Sequence, residues 1–411
     1  MSPGPGTPER PLRVAVVGSG PAGFYAAEAL FRTKGLTAQV DVLDRLPTPY
    51  GLVRYGVAPD HQKMKAVIKV YEKTAAHPRF RFFGNVQLGR DVSVAELRGL
   101  YDQIVYAMGS ETDRRLGVPG EDLEGSHSAT AFVGWYNGHP DHRLGAYDLS
   151  VAAAAVFGIG NVAMDVARVL ARNPEELADT DIADYALDAL RRSRVRDVWV
   201  IGRRGAAQAA FSPKEIEELG SLEGVDLVVD PAQLELDERT AREVEDDTNA
   251  RKNVEYLRGK AAVRPAGSPR RIRLLFLASP VRLLGEGGRV TGVEIERNEL
   301  VREGDAVKAR GTGERRVLDV GLVFRAVGYH GIPVEGVPFD AKRGIVPNAE
   351  GRVLDPGGVP IPGEYVVGWA KRGPSGLIGT NKGCSTATAA HMAEDLPAGV
   401  TGAPAAGPDA L

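Results

Sequence analysis

A glycine-rich turn occurs twice between an apolar run and a helical pattern. Gly18-x-Gly20-x-x-Gly23 links apolar residues 12–17 to a helical stretch over 24–32, and 140 residues later Gly158-x-Gly160-x-x-Ala163 links 151–157 to a helical stretch ending near Arg172. Few folds accommodate that order. A strand must end, turn within a few residues and hand over to a helix that packs back along it, which is the parallel strand–helix–strand unit. One such turn is a weak signal, because glycines after strands are common. Two in the same context, each leading to a further apolar strand at 40–43 and 198–201, point to a duplicated architecture. The glycine content agrees: 50 of 411 residues is about 12%, against a usual ~7%, with no collagen-like period to account for it.

Length and charge narrow the rest. A chain of 411 residues suits two or three domains. Lys and Arg number 51 against 54 Asp and Glu, so a net charge of −3 removes the bulk electrostatic case for nucleic acid or an anionic membrane. Cys384 is the only cysteine, which excludes an internal disulfide and any all-cysteine zinc or iron–sulfur site, and no metal site is expected. A reducing, cytoplasmic setting fits that usage. No run of ~18 apolar residues suggests a membrane-spanning helix. Residues 1–11 lack the basic head and apolar segment of a signal peptide and read as a disordered leader, as does the Pro/Gly/Ala-rich tail 397–411.

Between the two turns the rhythm continues. Pro47 to His61 is studded with Pro and Gly, too broken for a helix and too apolar for a linker, the composition of a site-lining loop. Ser93-Val-Ala-Glu96 forms a capping box before a strand at 103–107 that ends in Met108-Gly109, and the exit of 320–327 into Gly328 resembles it. Ser212-Pro-Lys-Glu215 starts another helix with Pro in its first position. Residues 270–320 alternate apolar and polar with Gly-Gly turns and read as antiparallel strands; 364–367 is a last short strand and 376–394 a helix.

The two turns share a backbone chemistry and differ in the strand end beside them. In each, the first glycine permits the tight turn, the second admits a pyrophosphate against the backbone, and the helix N-terminus offers N–H groups and a positive dipole to its charge. Asp44 ends the strand after the first turn, where a carboxylate can accept hydrogen bonds from a ribose hydroxyl pair. The corresponding strand after the second turn ends in Arg203-Arg204, whose guanidinium groups suit a 2′-phosphate and hence NADP. An acid at one site and arginines at the other call for two different dinucleotides, and FAD with NADPH is the simplest pair. A flavin accepts two electrons together and releases them singly. A dithiol relay needs a cysteine pair beside the flavin, so with one cysteine the electrons must leave to an external partner.

These residues resemble the ferredoxin-NADP reductases of the adrenodoxin reductase type, from about Leu12 to Lys382. The resemblance is carried by residues 46–61, Phe132-Val-Gly-Trp-Tyr-Asn137, the run from Gly160 to Arg168, the run from Arg203 to Phe211 and the run from Gly368 to Lys382. It implies an α/β fold of two Rossmann-like, three-layer dinucleotide-binding domains. The NADP domain (112–327) would be inserted into a discontinuous FAD domain (12–111 and 328–396). By position, FAD would contact Gly18, Gly20, Ala22 and Gly23 at its pyrophosphate, Asp44 at its ribose and the backbone of Leu52 and Val86. Trp369, Gly376, Leu377 and Ile378 would hold its ring, near the positive end of the last helix. NADP would contact Gly158, Gly160, Asn161 and Val162, then Arg203, Arg204 and Glu215, with Gly376 near the nicotinamide.

His61 and Glu218 match the pair that the family places near the reacting rings. His61 reads equally as a proton-handling group or a positioning one, and Glu215 equally as a ligand contact or the third residue of the helix begun by Ser212. Gln62 and Met164 are minor departures from the family; the sequence after Lys382, beginning Gly-Cys384, is a larger one. The activity implied is hydride transfer from NADPH to FAD and single-electron transfer to a ferredoxin-type iron–sulfur protein, which would supply a cytochrome P450 or similar reductive pathway. A basic stretch from Arg251 to Lys260 is either a docking patch or a solvated helix face. The alternatives are an NADPH-dependent flavin oxidase or quinone reductase without a ferredoxin partner, and a nucleotide-binding redox sensor without turnover.

Overall fold

The computed structural model describes residues 4–304, 306–396, 401–402 and 404–410. Its contacts divide into two compact units, one of residues 1–57, 61–112 and 329–411, the other of 58–60 and 113–328.

The first unit is built on a seven-stranded sheet in the order 348–349, 352–354, 360–366, 103–106, 12–17, 38–44, 80–84. Leu12–Val17 is almost continuously apolar because both of its faces are covered, as parallel strands require. Leu12, Val14 and Val16 pack with Ala26 and Leu30 of the helix Pro21–Arg32 and with Met392 of the helix Thr380–Glu394. Ala15 and Val17 pack on the opposite side with Leu97, Tyr101 and Val353. Leu12–Val17 lies between Gln103–Tyr106 and Ala38–Asp44, paired in parallel with each.

The second unit repeats this plan. Its six-stranded parallel sheet runs 126–128, 322–325, 153–157, 197–201, 270–275, 225–229, so Ala153–Phe157 sits between Leu322–Arg325 and Asp197–Ile201. One face is covered by helices including Ala129–Tyr136 and Asn161–Ala171. The other is covered by a three-stranded antiparallel sheet of Ala278–Glu286, Arg289–Glu303 and Ala306–Leu318, whose Leu283, Val293 and Ile295 pack on Ala155, Phe157 and Ile201.

Several expectations need correction. Arg270–Leu275 is not antiparallel: it is an interior strand of the parallel sheet, between 197–201 and 225–229. Its alternation arises because Ile272 and Leu274 face the buried helix layer, while Arg271 and Arg273 pair with Asp197 at 2.7 and 2.8 Å. The 47–61 loop contains one short helix, Leu52–Tyr55, and the last helix starts at Thr380, not 376. Residues 4–11 and the described part of the tail make specific bonds where composition suggested disorder. Thr37 N–H donates to Gly6 O and Arg10 pairs with buried Asp102; Gly402 N–H donates to Asp102 O and Arg81 pairs with Asp409. Residues 397–400 lie outside the described residues.

Candidate nucleotide and flavin sites

At each turn the three fingerprint positions show different physics. Gly18 has φ +107°, and a Cβ there would stand 2.5 Å from Ala107 O; Gly158 has φ +141°, and its Cβ would stand 2.2 Å from Ala326 O. Both first glycines are therefore demanded by the protein itself, since left-handed backbone beside a neighbouring carbonyl leaves no room for a side chain. A Cβ on Gly23 would meet Gly18 O at 2.1 Å, which fixes that residue by helix-to-strand packing. Ala163 serves there in the second turn, fully buried. Gly20 and Gly160 are unlike these: a Cβ on either would meet nothing within 4 Å. The fold does not need those glycines, but a ligand resting on the backbone would.

The helices beyond the turns, Pro21–Arg32 and Asn161–Ala171, begin at Gly20 and Gly160 without a side-chain cap. Ser93, Ser128, Ser212 and Asp237 do cap theirs. In the first unit the N–H groups of Ala22 and Gly23 donate to nothing among the described residues, although both residues are buried. Buried donors are normally paired, and a diphosphate would pair these.

The remaining residues expected at FAD all fall in the first unit. Asp44 Oδ2 accepts from Ser19 N–H and hydroxyl, and Oδ1 from Leu46 N–H at 2.9 Å. This holds the carboxylate at the strand end, and two oxygens with four lone-pair sites still leave capacity for a ribose hydroxyl. Val86 N–H is spent on Asp44 O, so its carbonyl is the part left for a ligand, whereas Leu52 O is spent on Gly56 and Val57. The 47–61 loop lies against the first turn: Tyr50 N–H donates to Ser19 O, and a Cβ on Gly51 would stand 2.9 Å from Gly20 Cα. Tyr50 itself is held at φ +91°, a strained conformation of the kind that collects at binding sites. Trp369 Nε1 donates to Ser375 O, Ile378 packs near Phe24 and Tyr71, and Leu377 is 64% exposed. The N–H groups of Gly376, Ile378 and Gly379 donate to no group among the described residues, so the entrance to the last helix presents free donors as a flavin edge requires.

The residues expected at NADP fall in the second unit, except Gly376, which belongs to the first. Gly158 N–H donates to Ile201 O, which registers the second turn beside the strand ending in Arg203-Arg204. The backbone there is pinned, Arg203 O by Asn298 Nδ2 and Arg204 O by Leu277 N–H. Neither guanidinium makes an ion pair or hydrogen bond among the described residues, unlike Arg168, Arg191, Arg273 and Arg302 of the same unit. Two free cations at that strand end suit a phosphate monoester. Asn161 Oδ1 accepts from Ser212 N–H, so the bond expected from a capping box at Ser212 goes to Asn161 instead. Val162 is in the first turn of its helix, behind Asn161.

A comparison with known proteins decides the family. Residues 12–218 match the pyridine nucleotide-disulphide oxidoreductase family. The NADPH-ferredoxin reductase FprA of Mycobacterium tuberculosis is 49% identical over 379 residues, covering 91% of this chain and 81% of that protein. The mitochondrial NADPH:adrenodoxin oxidoreductase of Bos taurus is 43% identical over 406 residues, covering 96% and 80%. The solved structure of M. tuberculosis FprA in complex with NADPH superposes with a TM-score of 0.90 at 48% identity, covering 95% of this chain and 85% of that one. The chain belongs to the ferredoxin-NADP reductases of the adrenodoxin reductase type. As a member of that family, the reductase uses FAD and NADP(H), and the open glycines, uncapped helices and free guanidinium groups of its two units fit those groups.

Within the reductase, the two residues expected to handle protons belong to different units. His61, buried, heads the turn Gln62–Lys65 of the first. Glu218 belongs to the second, paired with Lys214 at 3.2 Å and 3.9 Å from Arg168. Glu215 is 3% exposed and accepts from Arg168 Nη1 at 3.0 Å. Arg168 is the centre of a buried ion-pair cluster that motif spacing does not reveal. It is fully buried and also binds Asp60 through Nε and Nη2, at 2.7 and 3.1 Å, and Asp165. Arg172 adds a second bond to Asp60. Burial alone would push the Arg168 guanidinium down, yet Asp165, Asp60 and Glu215 together hold it above its ordinary value. An arginine three residues after an aspartate on the buried face of an otherwise apolar helix was the available signal.

The Arg251–Lys260 stretch is largely committed to its own unit. Arg251, Arg258 and Lys260 donate to the carbonyls of Glu245, Leu234 and Gly220. No helix among the described residues is long and apolar enough to cross a membrane.

Proposed function

We propose that the first unit is the FAD domain and the second, inserted unit the NADP domain, and that NADPH reduces FAD, which then reduces a ferredoxin-type iron–sulfur protein in two single-electron steps. The observation that carries this reading is the pairing of an Asp44-terminated strand at one open glycine turn with two free arginines at the other, in a chain with one cysteine. FAD supplies the conversion from hydride to single electrons. The chain's own residues bind and orient. Gly20 and Gly160 let phosphates approach the backbone, Arg203 and Arg204 select the 2′-phosphate, Glu215 is held by Arg168 for the nicotinamide ribose half, and Trp369, Gly376, Leu377 and Ile378 shape the flavin edge. His61 takes up or positions the proton that remains when electrons leave singly, and Glu218 is a second candidate for that role.

The single cysteine supports a reducing, cytoplasmic setting, with a cytochrome P450 or another reductive pathway downstream. Visible spectra of the purified protein, recorded alone, after NADPH and after added ferredoxin, test the proposal. Oxidised flavin bands should bleach with NADPH and return as ferredoxin is reduced. Return with oxygen or a quinone at rates equal to or above that with ferredoxin would favour the oxidase or quinone reductase, and no bleaching would sink both.

A further inference from the structure

Residues 373–379 run from the helix Gly368–Arg372 into Thr380–Glu394, and three side chains bracket them. Trp369 Nε1 and Arg372 Nη2 both donate to Ser375 O, at 3.1 and 3.0 Å. Arg372 Nη2 also donates to Asn381 Oδ1 at 3.0 Å, and Asn381 Nδ2 reaches back to Leu377 O and Ile378 O at 3.5 and 3.3 Å. The carbonyls of Ser375, Leu377 and Ile378 are thus engaged by side chains, while the N–H groups of Gly376, Ile378 and Gly379 stay free among the described residues.

Arg372 uses only one of its three nitrogens in this bracket. Nε and Nη1 are buried and have no acceptor, and no carboxylate lies within ion-pair distance of the guanidinium among the described residues. That is the opposite of Arg168, which is ringed by carboxylates. Guanidinium nitrogens removed from water without an acceptor or counter-charge are costly and rare, and their recurrence marks a place where a ligand completes the bonding. The neighbouring Lys371 ammonium, its pKa pushed down by burial with Arg372 contributing as a like charge, gives its own bond to Thr388 Oγ1 and does not relieve Arg372.

We propose that Arg372 is a positioning and charge-setting residue for the flavin: one arm of its fork fixes the 373–379 loop, and its unpartnered N–H groups and uncompensated charge favour reduced over oxidised FAD. Hydride uptake adds two electrons and one proton to the flavin, so the reduced ring carries one more negative charge than the oxidised one, and a half-buried cation beside it stabilises that form selectively. The inference rests on the first unit holding FAD.

The test is a spectroelectrochemical titration of the holoprotein, without NADPH or ferredoxin, for wild type, Arg372→Met and Arg372→Lys. Arg372→Met should weaken reduced FAD about tenfold more than oxidised FAD, which lowers the two-electron midpoint by about 30 mV. Arg372→Lys, which keeps the charge but loses the fork, should hold its midpoint near wild type while binding FAD less tightly. If Arg372→Met releases its FAD, anaerobic titration of the apoprotein with oxidised and reduced FAD gives the same ratio by linkage. If it does not fold, Arg372→Lys decides, and a midpoint displaced by about 30 mV or more overturns the charge role. An unchanged midpoint in Arg372→Met, or equal displacement in both variants, also overturns it. Wild-type protein that purifies without flavin and binds none would instead defeat the assignment of the FAD domain, a distinguishable outcome.

Discussion

Replacing Arg168 by methionine removes the one cation that Asp60, Asp165 and Glu215 share. The guanidinium is fully buried and bonded to each within 3.1 Å, so the change keeps most of the side-chain volume while taking a buried counter-charge from three carboxylates, of which Asp60 keeps its bond to Arg172. Breaking a buried pair by deleting one partner costs about 3–5 kcal/mol, and a unit of 150–250 residues moves about 2–4 °C per kcal/mol, so the second unit should melt about 6–20 °C lower. The loss should also depend on pH with a definite sign. Buried carboxylates that lose a counter-charge in the fold have their pKa values raised, so the folded variant takes up protons first as pH falls. Its deficit relative to wild type is largest at about pH 7.5 and shrinks towards about pH 5.5. Thermal melts of both proteins at the two pH values, monitored by circular dichroism, measure this. Adding Glu215→Gln to Arg168→Met should recover part of the loss, because it removes one buried charge that has lost its cation. A variant within about 1 °C of wild type, or a deficit equal at both pH values, would refute the reading of Arg168 as the neutralising centre of this cluster.

Three further outcomes arise from the same geometry. Arg203→Ala should raise the KM for NADPH about tenfold or more and leave that for NADH nearly unchanged; equal effects on both would remove the 2′-phosphate role. Gly20→Ala and Gly160→Ala should fold with melting temperatures near wild type, because the new Cβ meets no protein atom, yet lose FAD and NADPH affinity respectively by equilibrium binding, whereas Gly18→Ala should destabilise through its contact with Ala107 O. His127 is held down to about 4 by burial and by the Arg325 charge, so it stays neutral in the fold while the unfolded chain protonates below about pH 6.5. Wild-type stability should fall by about 1–2 kcal/mol from this group between about pH 7.5 and pH 5, and denaturant titrations of His127→Phe should show a correspondingly shallower loss.

Both glycine turns, their flanking strands and the duplication of the unit could be read from the chain because each is a local event: a strand that ends, a residue that must take positive φ, a helix that starts. Arg270–Leu275 shows where locality fails. Its alternating Arg, Ile, Arg, Leu is the pattern of a half-exposed antiparallel strand, and only the presence of Asp197 and Trp199 on the adjacent parallel strand explains how arginines are accommodated in a sheet interior. The N-terminal leader departs from expectation for a related reason. Pro- and Gly-rich composition argues against helix and strand, but not against a turn whose carbonyl caps a neighbouring strand, as Gly6 does for Thr37.

The site divides along the same line. Residues proposed to act through their backbone, or from a strand end, were identifiable from spacing: Gly18, Gly20, Gly158 and Gly160, then Asp44, Arg203 and Arg204. Residues that act by what they are buried among were not. Arg168 and Arg372 are both arginines near helix ends, and in the sequence both pass for ordinary basic residues favoured near a helix C-terminus. In the fold they are opposites, one saturated with carboxylates and one with two buried nitrogens unserved. The saturated arginine spends its charge on the protein, so deleting it should be read in stability. The unserved arginine has charge left for a ligand, so deleting it should be read in the potential of the flavin. The same substitution to methionine at the two positions therefore separates charge that holds the fold from charge that serves the reaction.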